Sequence, residues 1–183
     1  MRTPEQVLGP YFTVGSQPRQ GGDLVSPDGV KGTPQGNVIE VVGRLLDCKG
    51  QPIRAAKIVI WQANSFGRYA HPNDDNIAPL DQNFDGFAEF RSDDSGGYRI
   101  MTIKPGAYPA RADWMRPPHI HFDVQGKFER LITQMYFPGE PLNVTDRYLI
   151  SASCPDMLIA KPLPRTMHAQ HCVLKFDIIL RRG

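Results

Sequence analysis

The sequence predicts an all-β protein: an antiparallel β-sandwich with long loops and an extended N-terminal arm. Three observations carry this. Apolar and polar residues alternate at period two in several short runs, clearest at residues 119–125 and 173–177. Glycine and proline each number 17 in 183 residues and gather between those runs. No stretch holds a helical period. Antiparallel strands joined by turn clusters over one core give a sandwich.

In chain order, residues 1–36 are rich in Pro, Gly, Gln and Ser, with one apolar island from Leu8 to Val14, and read as an extended arm rather than a packed element. Residues 37–183 form the sandwich domain. Val38 to Leu46 is the first strand and residues 47–50 (DCKG) a turn. Ala55 to Gln62 is the second strand. Asn73 to Asp85, dense in Asn, Asp and Pro, is a long loop. Phe87 to Arg91 and Tyr98 to Ile103 bracket residues 93–97 (DDSGG), a hairpin-type connection. His119 to Gln125, Leu131 to Phe137 and His171 to Leu180 complete the strands, and Pro155 to Ala160 offers a single helical turn.

A chain of this length makes one domain with a real core. Hydrophobic residues are 40% and charged residues 22%, an ordinary globular composition. Net charge is +2 and no basic run exceeds two residues, which argues against nucleic acid and membrane surfaces as partners. Cys48, Cys154 and Cys172 are odd in number and form no CxxC pair, against both a disulfide framework and a thiolate zinc site. With no apolar leader and no long apolar span, a cytoplasmic location is expected.

The stretch from Arg116 to Phe122 (RPPHIHF) carries the most chemistry. On a strand, positions i and i+2 share a face. His119 and His121 therefore project together, while Ile120, Phe122 and Val124 face a core. Two imidazoles on one face suit a metal ion, each offering a nitrogen lone pair, although His-x-His alone is a common pattern.

Around it stand Trp61-Gln62-Ala63-Asn64, Gly67-Arg68-Tyr69, the run from Ala78 to Phe84 (APLDQNF), Thr102 to Pro109 (TIKPGAYP) and Ile132 to Phe137 (ITQMYF). Together, and in this order, they resemble the intradiol ring-cleavage dioxygenases, and among them the protocatechuate 3,4-dioxygenase branch. The resemblance runs from about Val41 to Pro141, with a fainter echo at Thr3 to Phe12. That family is also built on a β-sandwich.

The resemblance implies one mononuclear non-haem Fe(III) per active site, held by Tyr69, Tyr108, His119 and His121. A free phenol has a pKa of about 10, but a trivalent ion favours the phenolate, as a metal deprotonates a coordinating thiol. Tyr108 matches the ligand that also takes a proton from the incoming diol. Arg116 matches a guanidinium beside the substrate ring, a cation that cannot deprotonate and would stabilise charge developing there. Gln134 matches the glutamine that orients that arginine; otherwise it is an outward strand residue. Gly9, Tyr11 and their neighbours resemble the Gly-Pro-aromatic arm that the non-ligand subunit of protocatechuate enzymes sends into the active site. Here arm and ligands share one chain, and the helical N-terminal domain of the catechol and hydroxyquinol branch is missing; both departures point to a homo-oligomer. Ala110 stands where protocatechuate enzymes have tryptophan, widening the pocket, and Arg111 could meet an anionic substituent. His71, His168 and His171 match no ligand and read as structural or surface residues. Tyr98, Tyr136 and Tyr148 read as strand or core aromatics.

The activity so implied is cleavage of a catechol-type diol with O2, between its hydroxyl-bearing carbons, to a cis,cis-muconate-type dicarboxylic acid in aromatic catabolism, without flavin, nicotinamide or reductant. Protocatechuate is the leading substrate, with hydroxyquinol or another substituted catechol the alternative. Two other classes stand as rivals: a non-catalytic β-sandwich binding module, which would be colourless, and a regulatory subunit, which would lack a ligand.

Overall fold

A computed structural model describes residues 1–12, 17–26, 32–164 and 171–182. Its strands are β1 (Arg19–Gln20), β2 (Val38–Asp47), β3 (Lys57–Trp61), β4 (Phe87–Arg91), β5 (Gly97–Ile103), β6 (Tyr108–Arg111), β7 (Trp114–Arg116), β8 (His119–Gln125), β9 (Arg130–Tyr136), β10 (Lys161–Pro162), β11 (Cys172–Lys175) and β12 (Ile178–Leu180). One short α-helix, α1 (Arg147–Ile150), lies between 3₁₀ turns at Pro141–Val144 and Pro155–Leu158. Among the described residues no helix is long and apolar enough to cross a membrane.

Two five-stranded sheets face each other. The first has the order β1-β4-β3-β8-β9; the second has the order β10-β11-β2-β12, with β5 also pairing with β2. Pairing in the first sheet is antiparallel except at the two-residue β1. In the second sheet β11 and β12 run parallel to β2, a detail that an alternation pattern does not encode.

The residues from 93 to 97 do turn tightly: Asp93 Oδ1 accepts from the backbone N–H groups of Ser95 and Gly97. They do not make a hairpin, however. β4 pairs with β3 while β5 pairs with β2, so this turn passes the chain from one sheet to the other. The final expected strand, His171 to Leu180, is interrupted at Phe176 and Asp177, where the Asp177 carboxylate accepts from the backbone N–H of Arg44. Alternation survives the interruption: Leu174, Phe176, Ile178 and Leu180 are all buried.

The core between the sheets takes Ile58, Ile60, Ile120, Phe122, Val124 and Leu131 from the first and Ile39, Val41, Leu45, Ile100, Phe176 and Ile178 from the second. Each such side chain contributes roughly 1.5–3 kcal/mol on burial. As β8 fixes Ile120, Phe122 and Val124 inward, His119, His121 and Asp123 must lie on the opposite, outer face of the first sheet. That face is covered too. The first residues of the chain carry no strand or helix, yet they pack: Thr3 N–H donates to Ile179 O and Gln6 N–H to Ile132 O, both at 2.9 Å, and Thr3 is fully buried. Leu8, Tyr11 and Phe12 then pack on Trp61, Tyr69 and Tyr108.

Candidate active site

The outer face of the first sheet brings His119 and His121 together with the two tyrosines. The Nε2 atoms of His119 and His121 lie 3.1 Å apart. Tyr108 is 5.5 Å from the His119 ring, Tyr69 is 6.3 Å from the His121 ring, and the two phenol rings are 5.4 Å apart, centroid to centroid. All four residues are buried. Among the described residues no three His, Cys, Asp or Glu side chains form a metal-binding group; here two histidines meet two tyrosines instead.

Local sequence explains how the tyrosines arrive. Asn64, just past the end of β3, organises both loops. Its Oδ1 accepts from the N–H groups of Phe66 and Arg68, and its carbonyl accepts from Gly67 and Gly106. Gly67 has φ +82°, and a Cβ there would sit 2.1 Å from the Ala107 carbonyl oxygen. Glycine alone lets the Tyr69 loop approach the Tyr108 loop this closely. Buried Gln62 adds a tie, donating to Ile103 O and accepting from Thr102 Oγ1. Asp74 accepts from the Tyr69 N–H at 2.7 Å. Tyr108 itself opens β6, which with β7 makes a small hairpin absent from the strand reading of the sequence. This hairpin is short and largely exposed, so it shows no burial alternation.

The electrostatics suit ligation. His119 Nδ1 lies 2.7 Å from the Pro117 carbonyl, which can only accept, so Nδ1 carries the proton and Nε2 keeps its lone pair. Burial, then the nearby Arg116 charge, holds both imidazoles well below the ordinary histidine range, hence neutral. Burial raises the Tyr69 and Tyr108 phenols above their usual value, while Arg116 pulls each back down. Tyr69 Oη is buried without a hydrogen-bond partner. An orphaned phenol oxygen in the same buried cluster as two neutral imidazoles is a donor set that a trivalent cation would satisfy and convert to its ionised form.

Arg116 stands at the edge of this cluster, 2% exposed. Its Nη1 donates to His119 Nε2 at 3.1 Å. Its Nη2 reaches Gln134 Oε1 at 2.9 Å and the Tyr136 hydroxyl at 2.7 Å. Gln134 faces outward from β9, as its register opposite His121 requires, but is fully buried; its Nε2 donates to Val7 O in the arm. Gly9, with φ +77°, passes so close to His121 that a Cβ would lie 3.1 Å from its Cε1. Tyr11 packs against Tyr69 at 4.6 Å, and burial together with Asp74 pushes its phenol up to about 12. The arm therefore closes over the site of its own chain. Ala110 and Arg111, by contrast, lie on the exposed part of the β6–β7 hairpin.

Several residues enter the site without having been singled out. Trp61 stacks on His121 with ring centroids 4.7 Å apart. Asp146 pairs with Arg116 Nε at 2.9 Å. Neither α1 nor its N-cap Asp146 is expected from the sequence, and nothing there joins Asp146 to an arginine thirty positions earlier. Tyr136 is a buried strand aromatic as expected, yet its hydroxyl belongs to the Arg116 network. Tyr148 is on α1 rather than a strand, with its ring 4.7 Å from Arg116 Cζ. His71, read as a structural or surface residue, is partly buried with its ring 5.8 Å from Tyr11. Tyr98 is a core residue whose hydroxyl donates to Phe176 O. His171 is partly buried, and His168 lies outside the described residues.

The β-sandwich thus carries a buried two-histidine, two-tyrosine cluster with an adjoining arginine, and comparison with known proteins gives the class of protein it belongs to. The family described as Dioxygenase matches residues 7–182. The protocatechuate 3,4-dioxygenase beta chain of Burkholderia cepacia is 43% identical over 166 residues, covering 87% of this chain and 71% of its own. Catechol 1,2-dioxygenase of Acinetobacter baylyi is 30% identical over 160 residues; the match covers 79% of this chain but 49% of that longer protein. The solved dioxygenase domain of a dioxygenase–carbohydrate-binding fusion from Streptomyces sp. SirexAA-E superposes with a TM-score of 0.76 at 27% identity, covering 100% of both chains. The chain belongs to the intradiol ring-cleavage dioxygenase family, on its protocatechuate 3,4-dioxygenase-like branch.

Proposed function

We propose that this chain is an Fe(III) enzyme that opens a catechol-type diol with O2 between the two hydroxyl-bearing carbons, giving a cis,cis-muconate-type dicarboxylic acid. Both oxygen atoms enter the product, so no external reductant is required. The observation that carries this reading is the convergence of Tyr69, Tyr108, His119 and His121 on one buried point, with Tyr69 Oη left unpartnered. These four residues would hold the ion. When bound, ferric iron would supply a Lewis acid that polarises the diol and draws electron density from its ring.

The remaining work falls to the chain. Tyr108 Oη takes a proton from the incoming diol. The Pro117 carbonyl keeps His119 in the tautomer that presents Nε2. Arg116 offers its Nη1 edge to negative charge that develops on the ring as it meets O2, in a site dry enough for that charge to matter. Gln134 orients Arg116. Gly9 and Tyr11 of the arm close the site against water.

Protocatechuate is the leading substrate, on the strength of the 43% identity to a protocatechuate 3,4-dioxygenase chain; Ala110 and Arg111, on the exposed hairpin, are the positions to vary for ring substituents. The arm's placement on its own site supports an active site complete within one chain, so that any oligomer needs no second kind of subunit. The test is a panel of catechols with the iron-loaded protein, reading O2 uptake and product identity. One O2 consumed per ring-opened dicarboxylate is expected. Products cleaved outside the diol, or none, would refute the proposal.

A further inference from the structure

Arg116 has five N–H donors in a rigid fork, and the structure accounts for most of them. Nε donates to Asp146 Oδ2 at 2.9 Å. Nη2 lies 2.7 Å from Tyr136 Oη, 2.9 Å from Gln134 Oε1 and 3.2 Å from Asp146 Oδ1. Only Nη1 is turned toward the four-residue cluster, at His119 Nε2. A metal that held that nitrogen's lone pair would free the Nη1 edge for the substrate.

Asp146 sets this orientation from two sides. It is fully buried, and its carboxylate grips the Nε–Nη2 edge of the fork. The same Oδ1 accepts from the N–H groups of Tyr148 and Leu149, at 3.1 and 2.9 Å, and so starts α1. That helix carries Tyr148, whose ring lies over the guanidinium, 4.7 Å from Cζ. One carboxylate thus fixes both an edge and a face of the cation. An arginine held only by the neutral Gln134 and Tyr136 would keep neither constraint, because a buried cation without a counter-charge shifts toward whatever acceptor it can reach.

We infer that Asp146 is a positioning residue for this reaction: it locks Arg116 so that the Nη1 edge alone meets the substrate. The inference rests on the reading of the site as an intradiol centre. It predicts a particular energetic signature. Asp146 should matter for turnover only while Arg116 is present, and should matter little for substrate affinity.

The experiment is a double-mutant cycle on the iron-loaded protein with Asp146→Asn, Arg116→Gln and the pair together. Asparagine is also a good N-cap, so α1 is kept while the charge is lost. Asp146→Asn should lower kcat about 100-fold, the cost of a misplaced group near the chemistry, with KM changed less than threefold. In the Arg116→Gln background it should change kcat less than twofold. Additive losses, or normal kcat in Asp146→Asn, overturn the inference. Should Asp146→Asn fail to fold, Asp146→Glu keeps the charge but moves the fork by one methylene, and a kcat within threefold of the parent then overturns it. Should the parent cleave no catechol, the functional reading has failed separately, and crystal structures decide: Arg116 unmoved from Gln134 in the Asp146 variant overturns the positioning role, and a turned guanidinium supports it.

Discussion

Trp61 lies flat on the imidazole of His121, ring centroids 4.7 Å apart and planes 12° from parallel. The two residues are directly opposed across β3 and β8, so the sheet register itself delivers the stack. One face of His121 is thereby fixed from below, and the Gly9 backbone closes on its Cε1 edge. What is left for the ring is to present Nε2 beside that of His119. Replacing His121 or His119 by alanine should remove a ligand without touching the core, since Ile120 and Phe122 point the other way. Either variant should stay folded by circular dichroism, lose most of its iron by elemental analysis and lose nearly all activity. Full iron content in either would show that the pair does not bind the metal.

The iron-loaded protein should be reddish-brown before substrate is added, because phenolate-to-Fe(III) charge transfer absorbs visible light. Without a metal both phenols are protonated at neutral pH, and burial raises the Tyr69 and Tyr108 values further above the ordinary phenol range. Colour therefore reports their ionisation by the ion. Chelating the iron should bleach the protein, and Tyr69→Phe should shift or weaken the band. A colourless preparation containing one iron per chain would rule out tyrosinate ligation.

Arg116→Ala should keep its iron and colour but lose turnover, by about 2–4 kcal/mol in transition-state stabilisation, as for an oxyanion-hole donor. Arg116→Lys should not restore it, because an ammonium cannot fill the fork shared by Asp146, Gln134 and Tyr136. Steady-state kinetics decide the matter, and a near-normal kcat in either variant would remove Arg116 from the chemistry.

Gly67→Ala should damage the site from a position that supplies no ligand. The added Cβ needs φ +82° and meets a carbonyl oxygen at 2.1 Å. Backbone strain of this kind costs on the order of 1–3 kcal/mol, and relieving it must part the Tyr69 and Tyr108 loops. Thermal unfolding should show a lowered Tm, and the visible band should change. An unaltered spectrum at wild-type stability would contradict the packing described between these loops.

Ala110→Trp tests whether the exposed hairpin reaches the substrate. If it does, the indole should exclude bulky catechols by clash and spare small ones. The ratio of kcat/KM for bulky against small diols in the two proteins is the readout. An unchanged ratio would place Ala110 outside the pocket.

Much of this molecule is written in local pattern. The expected strands at 119–125 and 87–91 match β8 and β4 residue for residue, and in the first the period-two alternation marks the apolar inner face. The side chains of His119 and His121 share a face for the same reason. Short motifs around Asn64, Gly67 and Gly106 mark where loops are tied. Pairing was a different matter. The turn at residues 93–97 has the chemistry of a hairpin, yet it crosses between sheets, since partner choice depends on which distant strands bury the remaining edges. The parallel approach of β11 and β12 to β2 is non-local in the same way. So is the arm: Gly9 and Tyr11 could be read as an arm, but only the folded chain lays them on their own site. Asp146 makes the point most sharply. Alone it is an N-cap; its ion pair with Arg116 exists because β7 and the start of α1 meet at one buried point, where a cation cannot remain without a counter-charge.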